Sequence, residues 1–209
     1  MPFPTTNATV ELPAINQILS SCGQAPVTTL DQTNPDVAIA YDTLLQVSRE
    51  VQSEGWTFNT EYHYEMARNS SNEIEIPNNM LQIKLTENSA NTEFDCIRRS
   101  GKLYDRQHHT YDLSDISGDN VECDIVWEFD WVDLPQPVQD FITARAASMV
   151  SQRIVGDANQ YQMLQQQEAF ARARALEYET QQGQFTFFGH PQGLTNYYQS
   201  YQPFHALQR

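Results

Sequence analysis

His108 and His109 are neighbouring histidines, and Asp105 and Asp112 lie within a few positions of them in the sequence. Imidazole and carboxylate groups together ligate many protein-bound metal ions. Adjacent side chains of a strand point to opposite faces, however, so two consecutive histidines chelate one ion poorly. We therefore expect a solvated turn or strand edge at this position, with no metal site and no cofactor.

Catalytic motifs of fixed spacing are missing from the sequence. It contains no Gly-x-Ser-x-Gly turn, no phosphate-binding loop and no recognisable Cys/His arrangement. The 27 Asp and Glu residues offer many carboxylate pairs, and a pair held about 5 to 10 Å apart can hydrolyse a glycosidic bond. None of these pairs stands in a distinctive motif. The sequence thus predicts no catalytic residues and leaves glycan hydrolysis as the alternative.

Two further sets of residues could carry chemistry or binding. The cysteines Cys22, Cys96 and Cys123 are odd in number and widely separated, which favours buried apolar thiols over a disulfide or a zinc site. A cationic stretch is the densest positive patch between the predicted helices. It comprises Arg98, Arg99, Lys102 and Arg106. We expect it to contact either a DNA phosphate or an acidic subunit surface, with a solvated strand face equally compatible.

The composition limits the classes of partner. A formal net charge of -15 opposes tight nonspecific binding of nucleic acid, although it suits a wall past which DNA slides. The mean hydropathy is -0.57, and no long apolar run or signal peptide is visible, so we expect synthesis in the cytoplasm and no membrane partner. Four arginines are expected to pair with acidic neighbours, within the chain or across an interface: Arg145, Arg153, Arg172 and Arg174.

Four segments have the apolar period of helices. The predicted helices are 11–22, a second from Asn34-Pro35 to Gly55, a third from Pro137 to Gly156, and a last one over 157–181. The second carries the stripe Val37, Ala40, Leu44, Val47 and Val51, and the third carries Val138, Ile142, Ala146, Val150 and Ile154. The last helix has a weak apolar stripe, which favours packing against neighbours.

Between the second and third helices the period changes to two. One strand is predicted from alternating apolar residues, namely Cys123, Ile125, Trp127, Phe129 and Trp131. Turn signals divide the region at Asn78-Asn79, Ser100-Gly101 and Ser117-Gly118. We expect an α+β fold, in which N- and C-terminal helices form a bundle around an inserted antiparallel β-domain. The expected boundaries are 1–55, 56–133, 134–181, and 182–209 for an extended C-terminal arm.

The arm has a composition of its own. It contains no Asp or Glu, and its aromatic residues are Phe185, Phe187, Phe188, Tyr197, Tyr198, Tyr201 and Phe204. Burying these rings returns about 14 kcal/mol, whereas ordering the segment costs at least about 28 kcal/mol. We therefore expect the aromatic residues to bind a partner, which supplies the remaining stabilisation.

Several ordered motifs resemble a known family. The first is Pro13-Ala-Ile-Asn-Gln-Ile-Leu-Ser-Ser-Cys-Gly-Gln-Ala-Pro-Val-Thr-Thr-Leu30, and the second is Ser48-Arg-Glu-Val-Gln-Ser-Glu-Gly-Trp-Thr-Phe-Asn59. Arg99-Ser-Gly-Lys-Leu-Tyr-Asp-Arg106 and the helix entry Asp133-Leu-Pro135 continue the pattern. Together these segments resemble the tail tubular protein A family of short-tailed phages of the autographivirus type.

The resemblance implies a structural virion protein. Members of that family form a ring, a dodecamer, that joins the portal protein to the tail nozzle made of tail tubular protein B, with the tail fibre as a further partner. Such a ring at the head-tail junction extends the channel through which DNA is ejected, without sequence-specific binding. The alternative is a tail-associated glycan hydrolase that acts on the host envelope.

Overall fold

A computed structural model describes residues 8–31, 33–86, 94–116 and 120–183. Contacts divide the chain into two compact units. Of the described residues, those within 1–55 and 128–176 form the helical unit, and those within 56–127 and 177–183 form the β-unit. The fold is therefore α+β, as the change of apolar period predicts.

The helical unit is built from helices that the sequence marks clearly. The bounds are α1 Ala8–Ser21, α2 Pro35–Gln52, α3 Gln136–Ile154 and α4 Ala158–Gly183, with a short 3₁₀ helix at Trp131–Asp133. Helix α2 begins as predicted, because the side chain of Asn34 accepts a hydrogen bond of 3.0 Å from the backbone N–H of Asp36. Helices α1, α2 and α3 pack pairwise against one another.

The apolar stripes predicted for α2 and α3 form the core of this unit. All five stripe residues of α2 are buried, and so are the first four of α3, whereas Ile154 is half-buried. Phe141 is fully buried beside them. The regular spacing of three and four residues thus identifies the inward faces of these two helices.

The described part of the β-unit contains five short strands. They are β1 Thr60–Ala67, β2 Met80–Leu85, β3 Cys96–Arg99, β4 Lys102–Asp105 and β5 Asn120–Trp127. Strands β1, β5 and β2 form an antiparallel sheet in that order, and β3 and β4 form a separate hairpin. One cluster of buried side chains underlies both, with Ile74, Leu103 and Ile125 fully buried within it.

The predicted turns are confirmed where the structure describes them. Ser100 and Gly101 have φ angles of 52° and 74° and join β3 to β4, as a two-residue hairpin requires. Asn78-Asn79 forms the turn before β2. The predicted turn at Ser117-Gly118 lies outside the described residues.

The predicted length of the last strand is wrong, because β5 ends at Trp127. Beyond Trp127 no partner strand remains for it among the described residues. The two antiparallel neighbours begin at this point: β1 at Thr60, which pairs with Val126, and β2 at Met80, which pairs with Trp127. The side-chain amide of Gln52 binds the backbone of Phe129 instead, accepting at 2.7 Å and donating at 3.2 Å. Trp131 lies in the 3₁₀ helix. Apolar alternation therefore continues beyond the strand pairing.

No helix among the described residues combines the length and the apolar character that a bilayer span needs.

Candidate assembly surfaces

Helix α4 presents an unusually exposed surface. Of its 26 residues only Leu164 and Ala175 are buried, whereas Met163 is 65% exposed and Phe170 is 73% exposed. Exposing a whole phenylalanine ring to water forgoes about 2 kcal/mol of burial. Large exposed apolar side chains of this kind are typical of interaction surfaces.

Polar contacts attach α4 to α3. The hydroxyl of Ser148 donates a hydrogen bond of 2.7 Å to the Glu168 carboxylate, and the Arg145 guanidinium lies 3.8 Å from the same carboxylate. Arg145 also pairs with Glu50 of α2 at 2.5 Å. Arg172 pairs with Glu54 at 3.2 Å, so two of the four arginines meet acidic neighbours as expected, whereas Arg153 donates to the Thr43 hydroxyl at 3.1 Å.

A groove runs between α1, α3 and α4. It consists of two adjoining cavities of about 330 and 540 Å³, which share the lining residues Gln17, Ala144 and Gln167. Met163 lines one end, and Phe170 and Arg174 line the other. The most exposed apolar residues of α4 therefore stand at the rim of a shallow groove.

A second exposed apolar face lies on α2. Ile39 and Leu45 are 39% and 37% exposed, and Asp42 lies exposed between them in sequence. Ile39 and Asp42 lie on the face of α2 opposite the buried stripe that packs on α1 and α3, and Leu45 lies at the edge of that stripe. The helical unit thus has two separate surfaces with apolar residues beside a charge.

The four cationic residues of the sequence prediction lie on or next to the β3–β4 hairpin. Each has a partner within the β-unit. Arg98 donates to the Met80 carbonyl at 2.7 Å, Lys102 pairs with Glu73 at 2.5 Å, Arg106 pairs with Asp95 at 2.6 Å, and Arg99 lies over the Tyr104 ring at 4.8 Å. Pairing with carboxylates compensates part of the charge and leaves less of it for a phosphate. Contact of this patch with a subunit or with DNA stays a prediction.

Comparison with known proteins identifies the family. The family model described as tail tubular protein matches residues 12–185. The chain belongs to the tail tubular protein family. It is also similar to Tail tubular protein A of Klebsiella phage KP34, with 26% identity over 163 residues, which is 77% of this chain and 82% of that protein.

Membership of the tail tubular family confirms the resemblance that the ordered motifs indicate. It assigns this chain a structural role in a phage tail, as a component of the virion that assembles with other tail proteins. The exposed faces of the helical unit are consistent with such assembly, since a subunit of a larger particle must keep surface for its neighbours.

The histidine pair of this tail tubular protein lies in a turn between β4 and Thr110. His108 directs its Nδ1 to the fully buried Asp105 carboxylate at 2.5 Å, and His109 has a φ of 56°. Burial opposes ionisation of Asp105, but hydrogen bonds from the Gln107 backbone N–H, the His108 side chain and the Asp95 backbone N–H outweigh it and lower the Asp105 pKa. These bonds hold the turn. Among the described residues no cluster of His, Cys, Asp or Glu could bind a metal ion.

The cysteines agree in part with the prediction of buried thiols. All three are free; Cys96 and Cys123 are buried in the β-unit, and Cys22 is half-buried at the end of α1. Burial raises the pKa of Cys96 and of Cys123 to about 12. The two buried thiols are therefore protonated and act as small apolar residues.

Sequence reasoning missed one buried acid in the helical unit. Glu11 of α1 is only 5% exposed, burial raises its pKa, and a hydrogen bond with Tyr41 of α2 partly opposes that shift. One Glu11 carboxylate oxygen has no hydrogen-bond partner among the described residues. The sequence did indicate that Glu11 is buried, because it precedes Ile15 by four positions and therefore lies on the same helix face.

The predicted partner-binding aromatic residues all lie outside the described residues. They are Phe185, Phe187, Phe188, Tyr197, Tyr198, Tyr201 and Phe204. Their role stays a prediction from composition.

Proposed function

We propose that this tail tubular protein is a ring-forming adaptor at the head-tail junction. Twelve copies join the portal protein to the tail nozzle formed by tail tubular protein B and enclose part of the channel for DNA ejection. The observation that carries this proposal is the exposed α4 with its groove, in a chain that belongs to a structural tail family.

The two units are expected to make different contacts in the assembly. We assign subunit and portal contacts to the helical unit, 1–55 with 128–176, and nozzle contacts to the β-unit, 56–127. The arm, 182–209, then binds a neighbouring subunit or the portal through its aromatic residues. The absence of acidic residues from the arm and the net charge of -15 for the whole chain support a contact between the arm and acidic protein surfaces.

The acidic character also supports a DNA conduit. A channel wall that carried excess Lys and Arg would retain phosphates by counterion release, whereas an acidic wall repels them. DNA therefore passes an acidic ring without sequence-specific binding. The local pairing of Lys102 and Arg106 with carboxylates supports the same view.

Electron microscopy of the purified chain mixed with purified portal protein tests the proposal. The expected image is a ring of subunits on one face of the portal, and the mass of the complex by light scattering gives the copy number. A chain that stays separate from portal at all concentrations examined contradicts the adaptor function.

A truncation tests the arm separately. Ending the chain after Gly183, the last residue of α4, should leave the circular dichroism spectrum and melting temperature close to those of the full chain and abolish capture by portal. Undiminished capture of the truncated chain contradicts the arm assignment while leaving the ring intact.

The hydrolase alternative has its own measurement. The full chain should release no reducing sugar from host envelope glycans. Activity that one carboxylate substitution abolishes, with assembly unchanged, would reverse the assignment.

A further inference from the structure

We propose that the α2 face of one copy docks into the α1–α3–α4 groove of the next copy, and that an ion pair between Asp42 and Arg174 fixes their register. This inference rests on the proposed ring. The two surfaces consist of different residues, so the contact is head-to-tail. Head-to-tail contacts between identical subunits close into rings when the rotation between neighbours is suitable.

The two surfaces can be aligned through one apolar residue of each and the charge beside it. Ile39 and Leu45 are six positions apart on α2, which is a rotation of about 120° around the helix, so only one of them can face α4 directly. That residue can lie over Phe170 while Asp42, three positions away, lies near Arg174, four positions from Phe170.

The charges of the two surfaces are opposite. Asp42 lies between the two aliphatic residues of α2, and Arg174 lies one turn beyond Phe170 at the groove. Neither makes an ion pair or a side-chain hydrogen bond with another residue of the described ranges. Asp140, which also lines the groove, already accepts a hydrogen bond of 2.7 Å from Gln136. Arg174 is thus the charge that the groove offers to a partner.

The neighbouring charges of α2 are already satisfied within the chain. Arg49 lies 3.5 Å from Glu128, and Glu50 pairs with Arg145. Asp42 is therefore the charge that α2 offers at the centre of its exposed apolar face. Its distance along the helix from either aliphatic neighbour is about 4.5 Å, similar to the 6 Å or so between Phe170 and Arg174.

A second copy suits the groove better than the arm does. Residues 182–209 contain no Asp or Glu and so offer no side-chain carboxylate to Arg174. The α2 face supplies both a carboxylate and an aliphatic side chain. Electrostatic complementarity of this kind sets the register and orientation of an interface.

Charge reversal in the full chain tests the pairing. Asp42→Arg alone and Arg174→Asp alone should each weaken ring formation by at least about tenfold, because each places like charges together at the interface. The double variant Asp42→Arg/Arg174→Asp should restore rings. Mixing the two single variants in equal amounts should also restore them, since every contact in an alternating ring then joins opposite charges. Light scattering and electron microscopy, with portal protein present, measure the rings.

Two further variants complete the experiment. Phe170→Glu should abolish rings, whereas Val132→Glu, at an apolar position of the helical unit that is 56% exposed and outside both surfaces, should leave them intact. All substituted side chains are exposed, so melting temperatures should stay close to that of the unmodified chain.

The outcomes separate this inference from the proposed function. If the unmodified chain forms rings on the portal and the single charge reversals do so equally well, the interface is wrong and the adaptor function stands. Single variants that fail without rescue in the double variant also overturn the pairing. Loss of rings in the truncated chain together with intact rings for Phe170→Glu would assign assembly to the arm instead. An unmodified chain that forms no ring contradicts the proposed function itself.

Discussion

Helices α3 and α4 follow one another in the chain and use their surfaces in opposite ways. Helix α3 buries nine of its 19 residues, and α4 buries two of 26. Gly156, with a φ of 71°, lies in the short turn between them. Packing in the chain's own core therefore stabilises α3. Helix α4 is attached by a few polar contacts, and its large apolar residues Met163 and Phe170 stay exposed.

The difference has an energetic meaning. Helices are stabilised in proteins mainly by packing an apolar face, and a helix that packs little gains little from its own chain. Helix α4 has Met163 and Phe170 on its exposed surface, so a partner that covers them gains free energy that folding leaves unused. In a subunit of a larger particle, covering these side chains at an interface would contribute that free energy to assembly.

The largest expected effect compares one phenylalanine from each helix. Phe141→Ala in α3 should lower the free energy of unfolding by about 3 to 5 kcal/mol, because it leaves a cavity in a fully buried site. Phe170→Ala in α4 should change it by no more than about 0.5 kcal/mol, because that ring is 73% exposed. Urea titration followed by circular dichroism measures both. Equal losses for the two variants would mean that α4 is packed by its own chain, contrary to the comparison.

A smaller effect is expected from the contact between the helices. Glu168→Gln should weaken the attachment of α4 by about 1 to 2 kcal/mol, because the Ser148 hydroxyl and Arg145 lose a charged partner. Hydrogen exchange should become faster at α4 amides and stay unchanged in α3. The matched change Glu54→Gln removes the more exposed pair with Arg172 and should cost less than about 0.5 kcal/mol. Faster exchange throughout α3 would show that the two helices unfold as one.

The apolar stripes predict the buried faces of α2 and α3 correctly at every stripe position except Ile154, since a regular helical period has one structural interpretation. The sequence predicts the length of β5 less well. Apolar residues alternate to Trp131, but strand pairing depends on where β1 and β2 begin, which residues 120–131 do not encode. Local patterns therefore predict local structure, and they fail where the extent of an element depends on a segment distant in the sequence.

The candidate surfaces show the same limit. The spacing of Arg98, Arg99, Lys102 and Arg106 predicts a positive patch, and the structure does bring these residues together around one hairpin. Their partners Glu73 and Asp95 come from other parts of the β-unit, and no local pattern indicates them. The weak apolar stripe of α4 predicts packing against neighbours without saying which, and the groove cannot be predicted from α4 alone because it requires α1 and α3 in place.

The smallest expected effect concerns the one acid on the buried side of the helical unit. The pKa of Glu11 in the folded chain is above its ordinary value of 4.5, so the folded chain binds more protons than the unfolded chain at intermediate pH. Stability should therefore fall as pH rises above about 4.5. Glu11→Gln removes this penalty and should raise the free energy of unfolding at neutral pH, with the gain disappearing below pH 4.5.

A matched substitution on α4 completes the comparison between buried and exposed surfaces. Glu177 is exposed, so Glu177→Gln should leave stability unchanged within about 0.5 kcal/mol at both neutral and acid pH. Urea titrations of both variants at several pH values measure the difference. A destabilised Glu11→Gln chain at neutral pH would mean that the ionised carboxylate is bound in the folded unit. In that case a charge on the buried side, and not apolar packing alone, would contribute to holding α1 against α2.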